Sequence, residues 1–177
     1  MEFVSRHFPN KFKLSLHRIK ADIGKSELDG VRQELKTVVA EQPDHVCVIN
    51  ASLVVLQAVS FAVHRALHSK KHASMKTDCL NKEILYCLYP SHGIAKSLEA
   101  IGVESIQSAF LLLAFEKDDK FYSLPENENV DCLKLQDIAD HVDIAEMRKL
   151  YEITADEEAT AHGFSAAVCN RLALMNH

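Results

Sequence analysis

Residues 51–63 hold ten apolar side chains in thirteen positions, with no charge, no Gly and no Pro. A segment apolar on all sides reads as a helix buried over most of its surface. It falls short of the roughly 20 apolar residues that a bilayer crossing needs. At His64 the character changes: His64, Arg65, His68, Lys70, Lys71, His72 and Lys76 follow without an intervening acid. The pattern therefore predicts a central buried helix over about residues 51–68 that runs into a basic elbow. A second helix is expected after a cap at Thr77 or Asp78, with Leu80, Ile84, Leu85 and Leu88 as its apolar stripe and Pro90 as its stop. A third spans 94–100 and closes on Gly102, expected to be a left-handed stop.

The flanking segments alternate differently. Residues 3–8 and 12–19 read as two strands around a Pro9-Asn10 turn, because Phe12, Leu14, Leu16 and Arg18 share one parity. Leu28, Val31, Leu35, Val38 and Val39 recur at helical spacing over 26–40, with Ser26 and Asp29 as the capping signal and Pro43 beyond the end. Residues 46–49 and 108–115 are apolar runs of strand length, and 121–124 is expected to pair back on the second as a hairpin. Short helices are expected at 135–139 and 144–150, the latter capped by Asp143 with Glu146 at the boxed position. A last, long helix is expected to begin at Thr154, whose partner Glu157 completes a capping box, and to bury Phe164, Val168, Leu172 and Met175. Helices and strands follow no regular βαβ beat, so the fold class is α+β: a mostly antiparallel sheet packed with several helices, one domain over residues 1–177.

Composition changes this picture little. A 47% apolar and 25% charged chain with five Gly and four Pro is that of an ordinary folded domain. The start has no basic region followed by an apolar run, and five cysteines without framework spacing read as reduced thiols, so the cytosol or nucleus is the expected compartment. Charge is more informative in its distribution than in its sum of −5. Residues 1–20 balance at +4, 64–83 at +3 and 116–158 at −9. A basic region on an acidic protein can focus a polyanion at one place, although such charges are ordinarily a solvated face.

Catalytic and metal signals are thin. His64, His68 and His72 recur every four residues, a spacing that can hold zinc from one helix face. Lys70 and Lys71 would oppose a dication, and neither Cys-x-x-Cys nor His-Glu-x-x-His occurs. Cys47, Cys87 and Cys169 sit among apolar residues, as inert thiols do. Phosphate loops and the Gly-x-Ser-x-Gly elbow are absent from the sequence. The expectation is a protein that is not an enzyme and uses no cofactor or metal.

Met75-Lys76-Thr77, Glu83-Ile84-Leu85, the Ile94/Leu98/Gly102-Val103 spacing and Lys149-Leu150-Tyr151-Glu152-Ile153-Thr154 with Glu157-Glu158 occur in this order along one chain. Across residues 46–171 the sequence in this way resembles the PRPK-binding protein (TPRKB) family, the small non-catalytic subunit of the KEOPS/EKC complex. The resemblance implies direct binding to a PRPK-type atypical kinase or ATPase and indirect contact with the other KEOPS subunits. It also implies help in recruiting tRNA, through its single-stranded 3′ end, for threonylcarbamoyl modification of the adenosine next to the anticodon. The tRNA contacts expected on this basis are Arg65, Lys70, Lys71, Met75 and Lys76. Kinase contacts are expected on the last helix at Ala161, Ser165, Val168, Cys169 and Leu172. No membrane role is implied. The alternative is a stand-alone protein–protein scaffold with no tRNA role.

Overall fold

Strand β2, Lys11–Ile19, carries the alternation that organises the molecule: Phe12, Leu14 and Leu16 are buried on one face, which ends in the exposed Arg18, while Lys13 is exposed on the other. These elements come from a computed structural model, which describes residues 2–4, 11–159 and 163–175. Strand β4, Ala109–Phe115, runs antiparallel to β2 with Leu14 opposite Leu113 and Leu16 opposite Leu111. On its other side β4 pairs with β3, Val46–Asn50, placing Cys47 opposite Leu113 and Ile49 opposite Leu111. A short strand β1, Glu2–Val4, and a strand β5, Val130–Leu133, both pair antiparallel with β2 along its free side, at opposite ends. Five strands thus fill four positions, in the order β1/β5–β2–β4–β3.

Because side chains alternate across a sheet, two cores form. On the first face Phe12, Leu14, Leu16, Cys47, Ile49, Leu111 and Leu113 meet the main helical layer. That layer comprises α2 (Leu56–Lys71), α3 (Leu80–Leu88), α5 (Ile144–Tyr151) and α7 (Gly163–Met175). On the second face Val46, Val48, Phe110 and Leu112 meet α1, Lys25–Glu41, through Val31 and Leu35. Beyond α1 that face holds His17, 7% exposed and stacked on Phe110 at 5.1 Å. The α+β architecture with a buried central helix is as the pattern predicts. The central segment divides into a 3₁₀ turn, Ala51–Leu53, with Asn50 Oδ1 accepting from the Ser52 amide, and α2 proper.

Several local expectations are corrected. Helix α1 starts one residue before Ser26; its N-cap is Gly24, whose N–H donates to Glu27 Oε2 at 2.6 Å, so Glu27 does the work assigned to Ser26 and Asp29. Residues 121–124 do not form a hairpin. After a Lys117–Lys120 bridge, Tyr122 and Leu124 lie against the second core, and the returning strand is β5. The capping box at Thr154 is present, with Glu157 Oε2 accepting from the Thr154 amide at 2.8 Å. It starts only the single-turn helix α6, Ala155–Glu158, and the last helix begins at Gly163, whose φ of 66° is left-handed and incompatible with one continuous helix. Gly102, which follows α4 (Ile94–Ile101), has φ −85° and is no left-handed stop. It is required because a Cβ there would meet the Leu98 carbonyl oxygen.

Candidate functional site

The elbow between α2 and α3 is built by the way α2 ends. The helix buries Ala58, Val59, Ala62, Val63, Ala66 and Leu67 on one face, which leaves Arg65 and Ser69 on its flank. Past Lys71 the chain turns through Ala73, whose φ is 52°. The Ser74 amide donates to the Ser69 carbonyl at 2.9 Å and the Ala73 amide to the Lys70 carbonyl at 3.3 Å. This is the paired arrangement that closes a helix with a left-handed residue, here without the usual Gly.

The returning chain is held by one buried carboxylate. Glu83, on α3 and 2% exposed, accepts from the Lys76 amide at 2.9 Å and the Thr77 amide at 3.0 Å. Thr77 Oγ1 lies 2.9 Å from the same oxygen, Oε2. On the far side, Asp44 Oδ1 takes the Leu80 amide at 2.9 Å at the start of α3 and Lys70 Nζ at 3.0 Å. Burial alone would raise the Asp44 carboxyl; the Leu80 amide and Lys70 outweigh it and hold the group below the usual carboxylate range.

Between α2, the elbow and α3 lies a concavity of about 310 Å³, lined by Arg65, Ser69, Ser74, Lys76, Glu83, Tyr86, Cys87 and His92. Tyr86 Oη and His92 Nδ1 are 3.1 Å apart at its rim. The Cys87 thiol is pushed up to about 12, chiefly by burial and further by Glu83, with Arg65 opposing. It stays protonated at neutral pH and is no nucleophile. Two cations, hydroxyl groups and an aromatic rim suit a phosphate-bearing ligand with a planar group.

Of the five elbow residues anticipated as tRNA contacts, Arg65 and Lys76 share this concavity. Lys70 is turned to Asp44, and Lys71 and Met75 are not among the lining residues. The sequence reading missed Ser69, Ser74, Glu83 and His92 there. Glu83 had a legible signal: with Leu80, Ile84, Cys87 and Leu88 it occupies the inward positions of α3, where a carboxylate must find donors. The elbow histidines stay local. His64 Nδ1 donates to the Ser60 carbonyl at 2.7 Å, and the His68 and His72 rings lie 4.3 Å apart.

A second feature lies at the other end of α2. Val55, Leu56, Ile138, Val142, Ile144, Phe164 and Ser165 line an apolar hollow of about 370 Å³. Ile144 is 37% exposed there. Of the residues anticipated as kinase contacts, Ser165 borders this hollow. Val168 and Leu172 are fully buried in the main core and anchor α7 rather than face outward; Cys169 is half-buried against the same core. Ala161 lies outside the described residues. Arg171 fixes the helix from its flank, donating to the Glu152 carbonyl and the Glu157 carboxylate, each at 2.9 Å. No helix among the described residues is long and apolar enough to cross a membrane.

Comparison with known proteins agrees along most of the chain. The family model described as kinase binding protein CGI-121 matches residues 25–176. A Danio rerio protein, EKC/KEOPS complex subunit TPRKB, is 28% identical over 128 residues, covering 68% of this chain and 71% of that protein.

Proposed function

The chain belongs to the CGI-121 family, and on that premise we propose that it is a kinase-binding, non-catalytic subunit of a KEOPS/EKC complex. The observation that carries this reading is the family match over residues 25–176, with the Danio rerio KEOPS subunit as a relative. The partner is a PRPK-type atypical kinase, bound directly, with the other KEOPS subunits reached through it. The apolar hollow bordered by Ile144, Phe164 and Ser165 is the docking surface, because it is open, apolar and adjoins a helix already anchored from its buried side. The protein works in the cytoplasm and nucleus.

The finer part of the proposal concerns RNA. The elbow concavity receives the single-stranded 3′ end of tRNA, with Arg65 and Lys76 on phosphates and Tyr86 and His92 beside a base. In this role the chain recruits tRNA for threonylcarbamoyl modification of the adenosine next to the anticodon. Each phosphate contact to a single strand adds about 0.7 to the slope of log affinity against log salt. Replacing both Arg65 and Lys76 by Gln should flatten that slope by about 1.4 and remove any preference for intact tRNA over tRNA trimmed at its 3′ end. Lys70→Gln should change the slope less, since Lys70 is already paired with Asp44. Equal binding of both RNAs by wild-type protein would refute the RNA role and leave the scaffold reading.

A further inference from the structure

We infer that Glu83 is the positioning residue of the elbow: its buried carboxylate fixes the backbone of Lys76 and Thr77 so that the Lys76 and Arg65 side chains line one concavity. This rests on the proposal that the concavity binds the phosphates of tRNA.

Glu83 sits at an inward position of α3, between Leu80 and Cys87 and beside Ile84, and is 2% exposed. A carboxylate so placed is costly unless donors converge on it. Those that converge are the Lys76 amide, the Thr77 amide and the Thr77 hydroxyl, all within 3.0 Å of Oε2. Two of the three are main-chain groups six and seven residues earlier, in the segment that carries a lining cation. Residues 74–79 form neither helix nor strand. Their course is set by the Ser74 amide closing on Ser69 at one end, Asp44 holding the Leu80 amide at the other, and Glu83 between. Charge-assisted bonds to main-chain amides are the strong kind. Glu83 also lowers the net charge of a concavity that would otherwise carry Arg65 and Lys76 alone, which works against anion binding. A carboxylate at this place is therefore explained by what it holds, not by the charge it brings.

Amide hydrogen exchange in the full chain, measured beside tRNA binding, tests the inference. In wild-type protein the Lys76 and Thr77 amides should be protected. Glu83→Ala should speed exchange at both by at least about tenfold, the scale of losing a hydrogen bond to a charged group, while amides of β4 stay unchanged. It should weaken tRNA binding about tenfold in the wild-type background and less than about twofold in a Lys76→Ala background, because Glu83 acts through Lys76. Glu83→Gln keeps an acceptor and removes the charge; it should give intermediate exchange rates. A pure countercharge would instead show tighter tRNA binding with exchange rates unaltered. Should Glu83→Ala not fold, Thr77→Val keeps the Glu83 carboxylate and removes the hydroxyl, which lies 2.9 Å from Glu83 Oε2 and 3.0 Å from the Cys79 carbonyl, and should speed exchange at Lys76 by about threefold. Unchanged exchange in the variants, or equal losses of tRNA affinity in both backgrounds, would overturn the inference. If wild-type protein ignores the tRNA 3′ end, the RNA proposal fails by that result, and the exchange rates still decide whether Glu83 holds the elbow.

Discussion

Removing one oxygen atom from Tyr151 should reveal how the main helical layer is tied together. Tyr151 is fully buried at the end of α5, and its hydroxyl donates to the Leu88 carbonyl at 3.0 Å, with the Leu53 carbonyl at 3.3 Å. Leu88 is the last residue of α3, so its carbonyl is one of those a helix end leaves without an internal partner. Tyr151→Phe keeps the ring and its packing, so the cost is confined to the hydrogen bond and the carbonyls left dry. A typical bond contributes about 1 kcal/mol and an unmet buried acceptor costs somewhat more, giving about 1.5 kcal/mol in all. With a urea slope of about 2.5 kcal/mol per molar for a domain of this size, the midpoint should fall by about 0.6 M with no change in slope. Burial also raises the phenol well above its ordinary value of 10.0. Its neutral form is therefore linked to folding: this contribution is complete below pH 10 and is lost as pH rises above it toward the folded value. Tyr151→Phe should flatten that alkaline loss. A midpoint shift below about 0.2 M would show that water reaches these carbonyls and that the tie is not what holds α5 to α3.

Other perturbations probe the elbow and its supports. Ala73→Gly relieves a left-handed conformation that a Cβ disfavours, and thermal unfolding should show a gain of about 1 kcal/mol. Gly102→Ala drives a Cβ into the Leu98 carbonyl oxygen and should cost about 1–3 kcal/mol in urea unfolding, with α4 amides exchanging faster. The Asp44 carboxyl is held low by the Leu80 amide and Lys70 against its burial. Its contribution is present above the unfolded value of 3.8 and lost as pH falls through the folded one, so Asp44→Asn should flatten the acid limb of a stability–pH curve.

Much of this arrangement is legible in the sequence because the relevant contrasts are local. The switch from an uncharged apolar run to an unbroken basic one at His64 marks both the buried face of α2 and the elbow after it. The alternation Phe12, Leu14, Leu16 marks β2 and the face it turns to the main helical layer. Strand β5 escapes because Asp131 and Cys132 follow an Asn- and Glu-rich stretch, and only pairing with Arg18 and His17 gives it a strand's surroundings. The division of the C-terminal segment escapes because the apolar stripe Phe164, Val168, Leu172 reads correctly whether or not Gly163 begins a new helix. At the elbow, nothing local to Lys70 announces Asp44, which returns from 26 residues upstream to pair with it. Glu83 is the reverse case: its place on an apolar stripe is visible in the sequence, and what it holds is visible only when the chain has turned back.

The most direct test is association with the kinase. Purified chain and a PRPK-type kinase, mixed at micromolar concentration and resolved by size exclusion with light scattering, should elute as a one-to-one complex. Ile144→Arg and Ser165→Arg, which place a charge in the apolar hollow, should abolish that complex while leaving the urea midpoint of the free chain within experimental error. Failure of the wild-type proteins to co-elute would contradict kinase binding itself. Co-elution undiminished by both substitutions would place the docking surface elsewhere on the molecule.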